Sequence, residues 1–193
     1  AQHDEVAKRS NARQFFDLMR PPTTGEPTPT AEPCGERAPP HPNTWSDGTK
    51  TLPKQPDFSL AGYSCWHPHR DAEDIHELEH QLGGRVQPAT SGKHLALGGC
   101  LAGRGSSYTR AEIAGGLLAS LAPHAVHLGT DSKAFLMKGL SIIAYPFALP
   151  RRPWALQKDG DFWHAFQQSV ASKGAEAITI SWYKGHANLG HAL

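Results

Sequence analysis

The order of the apolar segments constrains this chain more than any other feature. Three strand-like runs come first: NTWSDG from Asn43, FSLAGYSCW at 58–66 and HLALGGCLAG at 94–103. Then the period changes. TRAEIAGGLLASLA at 109–122 carries Ile113, Leu117, Leu118 and Leu121 at helical spacing. AVHLGT at 125–130 reads as a fourth strand, and DSKAFLMKGLSIIA at 131–144 as a helix that Asp131 can start. After a break at PFALPRRP, DGDFWHAFQQSVASKG (159–174) reads as a helix with a glycine stop, and EAITISWYKGH (176–186) as a fifth strand. Consecutive strands predict antiparallel hairpins, and the later alternation predicts parallel β-α-β units. The expectation is an α/β domain: a mixed five-stranded sheet, three strands antiparallel and the rest parallel, with helices on both faces.

The flanks differ in composition. Residues 1–20 can form a short helix around NARQFFDLMR. PPTTGEPTPTAEPCGERAPPHP, at 21–42, is rich in Pro, Thr and Glu and nearly free of large apolar groups, so it reads as a semi-extended linker. The domain is expected over 43–193, with a His- and charge-rich insertion at about 67–92. A net charge of +1 implies no particular partner, so a nucleic-acid site here needs local positive charge. Cys34, Cys65 and Cys100 lack metal-ligand spacing and read as reduced thiols, which points to an intracellular setting. No apolar run approaches the roughly 20 residues that cross a bilayer, so no membrane partner is expected.

The insertion holds HELEH at 76–80. On a helix His76 and His80 share a face, with Glu77 between them, the pattern of a zinc protease. That chemistry needs a third protein ligand, and the position after Gly83 that would supply a third histidine is Val86. The segment DAEDIHELEHQLGG is mostly charged, whereas a catalytic helix of that class is partly apolar. It reads as an exposed insertion.

Three acidic residues recur in another context. Asp47 follows the first strand in WSDGT, Asp131 follows the fourth in HLGTDSK, and Glu112 lies one turn into the helix of YTRAEIAG. In an open α/β sheet, sites gather at strand ends and neighbouring helix starts. Taken singly, Asp47 is a turn residue, Asp131 an N-cap and Glu112 a first-turn charge. Brought together, they repel one another unless cations neutralise them. Hard oxygen ligands without paired Cys or His favour Mg2+ or Mn2+ over zinc. Two such ions about 4 Å apart activate water and stabilise the leaving oxygen of a phosphodiester.

These motifs, in this order, resemble the ribonuclease H family from Trp45 to His191. WSDGT is similar to the family's first-strand motif, TRAEIAG to its helix motif, TDSKAFLMKG to its third motif and DGDFWHAF to its Asp-Leu-Trp helix start. SWYKGHA resembles its last-strand motif, in which Lys-Gly-His-Ala is highly specific. The resemblance implies an endonuclease that cuts the RNA strand of RNA–DNA hybrids with two Mg2+ ions, Mn2+ serving as a substitute. It implies Asp47, Glu112 and Asp131 as metal ligands, Asp47 shared by both ions, and His186 as an aid to proton transfer or product release. Gly48 and Thr49 would approach the substrate backbone. Thr109 stands where an asparagine-containing pair usually contacts substrate. Recognition would read the 2′-hydroxyls of the RNA strand.

The family also carries a fourth carboxylate about ten residues past this histidine, on a final helix. That position falls outside the 193 residues, so the domain reads as C-terminally incomplete. Asn188 and His191 lack the negative charge Mg2+ prefers. ALPRRPWALQK replaces a basic helical protrusion and brings Arg151, Arg152 and Lys158. A domain of a larger polypeptide, such as a reverse transcriptase, is one parent this pattern suggests. The alternative reading is a catalytically impaired module of the same fold that binds hybrid or serves a structural role in a polyprotein.

Overall fold

The computed structural model describes residues 28–51, 60–71, 74–85, 94–101 and 107–184. The change of period becomes the change of architecture. Strands β1 (Thr44–Lys50) and β2 (Ala61–His67) pair antiparallel. A short helix α1 (Glu77–Leu82) and a two-residue strand β3 (Gly84–Arg85) follow, and then β4 (Leu95–Leu101), antiparallel to β2. Inward and outward positions alternate along the antiparallel strands. Helix α2 (Tyr108–Ser120) then carries the chain across to β5 (Val126–Thr130), which pairs parallel with β1. Helix α3 (Lys133–Ala144), a connector and helix α4 (Gly160–Lys173) lead to β6 (Ile178–Trp182), parallel to β5. All five residues of β5 are buried, as befits a strand between two parallel neighbours.

Among the described residues the sheet has six strands in the order β3-β4-β2-β1-β5-β6. The five expected strands are therefore joined by one more, the edge strand β3 from the insertion. Helices were expected on both faces. Among the described residues, α2, α3 and α4 instead share one core, with Ile113, Phe135, Trp163, Phe166 and Ile180 in a common cluster. Close approach at glycines packs these helices against one another and the sheet. A Cβ on Gly116 of α2 would collide with the Phe135 ring of α3, and one on Gly139 of α3 would lie 2.6 Å from Ile180 of β6. The two glycines of α2, which weaken a helix in isolation, let its neighbours come near.

On β5, the His127 ring meets other chain. Its Nδ1 lies 2.8 Å from the Pro39 carbonyl and its Nε2 2.7 Å from Ser181 Oγ. Pro39 belongs to the stretch expected as a linker, which from Thr28 onward is irregular in backbone but docked. Ala31 is buried and its N–H reaches Ser169 Oγ. The N–H groups of Cys34, Ala38 and Asn43 donate to the carbonyls of Lys173, Glu176 and His127. Proline keeps this strap from coiling into a helix, and backbone hydrogen bonds need no apolar side chains to hold it. Gly174 takes the left-handed φ of +100° that ends α4, the expected glycine stop. No described helix is long and apolar enough to cross a membrane. The helix expected within residues 1–20 lies outside the described residues.

The HELEH insertion, expected as an exposed helical or irregular segment, holds a short helix with one buried acid. His76 is the N-cap of α1, its ring accepting from the Leu78 N–H, while its own backbone N–H donates to Glu79 Oε2 at 2.8 Å. Glu79 is fully buried and takes a bidentate pair from Arg70 at 2.6 and 2.8 Å. His67 lies beside it, its pKa lowered to about 3 by burial and by the Arg70 and His124 charges, so it stays neutral. One charged residue of the insertion thus anchors it beside the end of β2.

Candidate metal centre

β1 and β5 are joined by only two register pairs, Thr44↔Leu128 and Trp45↔Gly129. Beyond them a cleft of about 230 Å³ opens, lined by Trp45, Ser46, Asp47, Asp131, Tyr183 and Lys184 among others. Asp47 stands two residues past Trp45, and Asp131 two residues past Gly129. Asp131 directly follows β5, but Asp47, expected to follow the first strand, lies within β1, which runs on to Lys50 against β2 after its pairing with β5 has ended.

The third carboxylate arrives from above. Ser107 caps α2, accepting from the Arg110 N–H at 3.0 Å. Arg110 forks onto both oxygens of Asp161, at 2.8 Å for the longer bond, reaches Asp159 at 3.4 Å and lies 4.1 Å over the Phe162 ring. The start of α2 is thereby tied to the start of α4, which fixes the turn carrying Glu112. Gly48 of β1 lies against that turn. A Cβ there would sit 2.8 Å from the Glu112 nitrogen and 2.9 Å from the Ala111 Cβ. Glycine is required for this approach, and its N–H donates to Glu112 Oε1 at 3.1 Å.

The result is a convergence. One carboxylate oxygen each from Asp47, Glu112 and Asp131 lies within 4.8 Å of the others. Among the described residues no other group of three or more His, Cys, Asp or Glu converges so. In particular, His76, Glu77 and His80 join no such group. Asp47 and Asp131 are exposed, whereas Glu112 is buried. Burial, then the charges of Asp131 and Asp47, push the Glu112 pKa up to about 8, against the pull of the Gly48 N–H. Its Oε2 is buried without a hydrogen-bond partner among the described residues.

That arrangement fits a divalent cation. Three hard oxygen donors, two open to solvent, face a common point, and an orphaned buried oxygen lacks a positive partner. The triad can hold a metal ion.

The other predicted positions are placed as follows. Gly48 faces Glu112 and the helix. Thr49 is exposed on β1, and Thr109 is half-buried in the first turn of α2, three residues before Glu112. His186 lies outside the described residues. Sequence reading passed over the cleft's aromatic wall. Trp45 meets Tyr183 edge-on at 4.7 Å, and its indole lies against Gly129. The Trp182 indole N–H donates to the Asp131 carbonyl at 3.1 Å, and the Tyr183 N–H to the Thr130 carbonyl at 2.8 Å. The signal was adjacency: Trp45, Trp182, Tyr183 and Lys184 all lie within the WSDGT and SWYKGHA stretches. No protein-family model matches this chain, and no curated protein matches it either.

Proposed function

We propose that the chain is a metal-dependent endonuclease domain that hydrolyses the RNA strand of RNA–DNA hybrids. The observation that carries this reading is the convergence of Asp47, Glu112 and Asp131, with Glu112 buried beside two like charges. The ordered motifs from WSDGT to SWYKGHA support the choice of substrate.

Bound Mg2+ would supply Lewis acidity and a reactive water at neutral pH. The chain's own residues do the rest. Asp47 and Asp131 offer oxygens on the solvent side, and Glu112 offers one from the buried side. Glu112 holds a proton at neutral pH while no cation is near, and gives it up as positive charge arrives. The Gly48 N–H keeps Oε1 oriented. Trp45 and Tyr183 wall one side of the cleft, and Lys184 adds a positive charge to its lining, suited to a phosphate. His186 is assigned to proton transfer or product release on the strength of its motif.

The test is cleavage of an end-labelled RNA–DNA hybrid with Mg2+ or Mn2+. RNA-strand cutting should appear and fall by at least about 100-fold in Asp47→Asn. Hybrid binding without cutting under either metal would favour the non-cleaving module. Cutting that survives Asp47→Asn would remove the triad from the chemistry.

A further inference from the structure

Away from the carboxylates, a second depression of about 650 Å³ lies between α3, the connector at 145–158 and α4. Its lining includes Ile142, Tyr145, Trp154 and Gln167. It shares no lining residue with the carboxylate cleft. Lys138, at its near end, is seven residues along from Asp131, roughly 10 Å at helical rise.

Two properties set this groove apart. The first is charge of one sign. Lys138, Arg151, Arg152 and Lys158 line it, and among the described residues no Asp or Glu does, although Asp159 acts on Lys138 from beyond the lining. Among the described residues, none of these four is in a salt bridge. The second is exposed apolar surface. Leu149 in the groove is 93% exposed, nearby Phe147 82% and Leu156 59%. Exposed large apolar side chains grouped in one place mark interaction sites.

The frame that presents these groups is built. Gln167 donates to the Ala148 carbonyl at 2.8 Å and accepts from the Trp154 indole at 3.0 Å. Gln157 donates to the Arg152 carbonyl and accepts from Lys138 Nζ at 3.0 Å. Lys138 also lies 4.8 Å over the Trp154 ring. The connector is held by its own polar groups while its apolar side chains stay exposed.

We propose that this groove docks an acidic protein segment with spaced apolar anchors, carried by a partner protein. Cations without carboxylates select an acidic ligand by charge complementarity. The apolar content chooses protein over nucleic acid. Leu149 and Leu156 are aliphatic and offer a base no stacking face, and with the exposed rings of Tyr145 and Phe147 they make a mixed apolar cluster of the kind that anchors a protein segment. Trp154, which could stack, is half-buried and committed to Gln167 and Lys138. An acidic segment laying Leu, Phe or Trp side chains into the groove satisfies both properties at once.

The experiment needs no metal and no hybrid, so its outcome is independent of the nuclease reading. Random peptides of roughly 12 residues, displayed on phage, are selected against the full chain. The enriched peptides are then synthesised with a dye, and binding is read by fluorescence anisotropy. The expected peptides combine Asp or Glu with Leu, Phe or Trp. Their affinity should fall at least about tenfold in Arg151→Glu/Arg152→Glu, and comparably in Leu149→Ser. All three positions are exposed, so an unchanged melting temperature shows that each variant is folded. Three results would overturn the proposal. One is enrichment without acidic residues, or binding that both variants retain. Another is no selectable peptide, whether or not a dye-labelled hybrid or single strand binds and is lost in the double variant. The last is a dimer in sedimentation that Leu149→Ser dissolves.

Discussion

The Glu112 side chain is buried beside Asp47 and Asp131, and its pKa stands at about 8 against an ordinary 4.5. A carboxyl with a raised folded pKa binds its proton more tightly in the folded state. Its contribution to stability is fully present below pH 4.5 and is lost as pH rises to about 8. Above pH 6.5, where His67 is neutral whether folded or not, the metal-free protein should therefore melt lower at pH 8.5 than at pH 6.5. In Glu112→Gln, part of that decline should vanish, the difference being on the order of 1–3 kcal/mol. At pH 8.5, Mg2+ should raise the melting temperature of the native chain and have little effect on the variant. Identical melting curves across pH and metal for both proteins would show that Glu112 is not strained by its neighbours. The same side chain shows what a sequence hides. TRAEIAG places Glu112 on the first turn of a helix, but its elevated pKa comes from Gly48 letting that helix settle onto β1.

At the level of elements, the insertion turns on one buried ion pair. Arg70 approaches Glu79 from the loop after β2, and Glu79 also closes the capping box of α1. Arg70→Ala would leave a buried carboxylate without its cation, costing about 3 kcal/mol or more. Hydrogen exchange over 74–85 should accelerate more than in the central strands. Uniform acceleration, or none, would mean that α1 is held by something else. This element was only half legible. A helix could be read from the repeat of His76 and His80, but not which acid turns inward, because Arg70 lies nine residues away in a loop. β3 was invisible for a simpler reason, since two residues have no period. The five main strands and the three long helices were legible because each is long enough to show its own repeat. The single shared core was not, because it depends on Gly116 receiving Phe135 across two helices.

Across the whole molecule, the proline-rich strap ties distant parts together. It runs from Ala31 at Ser169 of α4, past Lys173 and Glu176, to His127 on β5. Removing residues 1–42 should cost roughly 2–4 kcal/mol, through the backbone hydrogen bonds of Cys34 and Ala38, the Pro39 contact with His127 and the buried Ala31. The check is chemical denaturation of the shortened chain; an unchanged midpoint would make the strap a passenger. Low apolar content hid this role, since the strap holds through its main chain. The sheet itself contains a crease. The antiparallel half and the parallel half are stitched by two residue pairs between β1 and β5, and Asp47 and Asp131 stand on opposite sides of that short seam. Past that seam the two strands part, as facing pages part beyond their binding. Anything that clasps both aspartates would pin the two pages together where the binding no longer does.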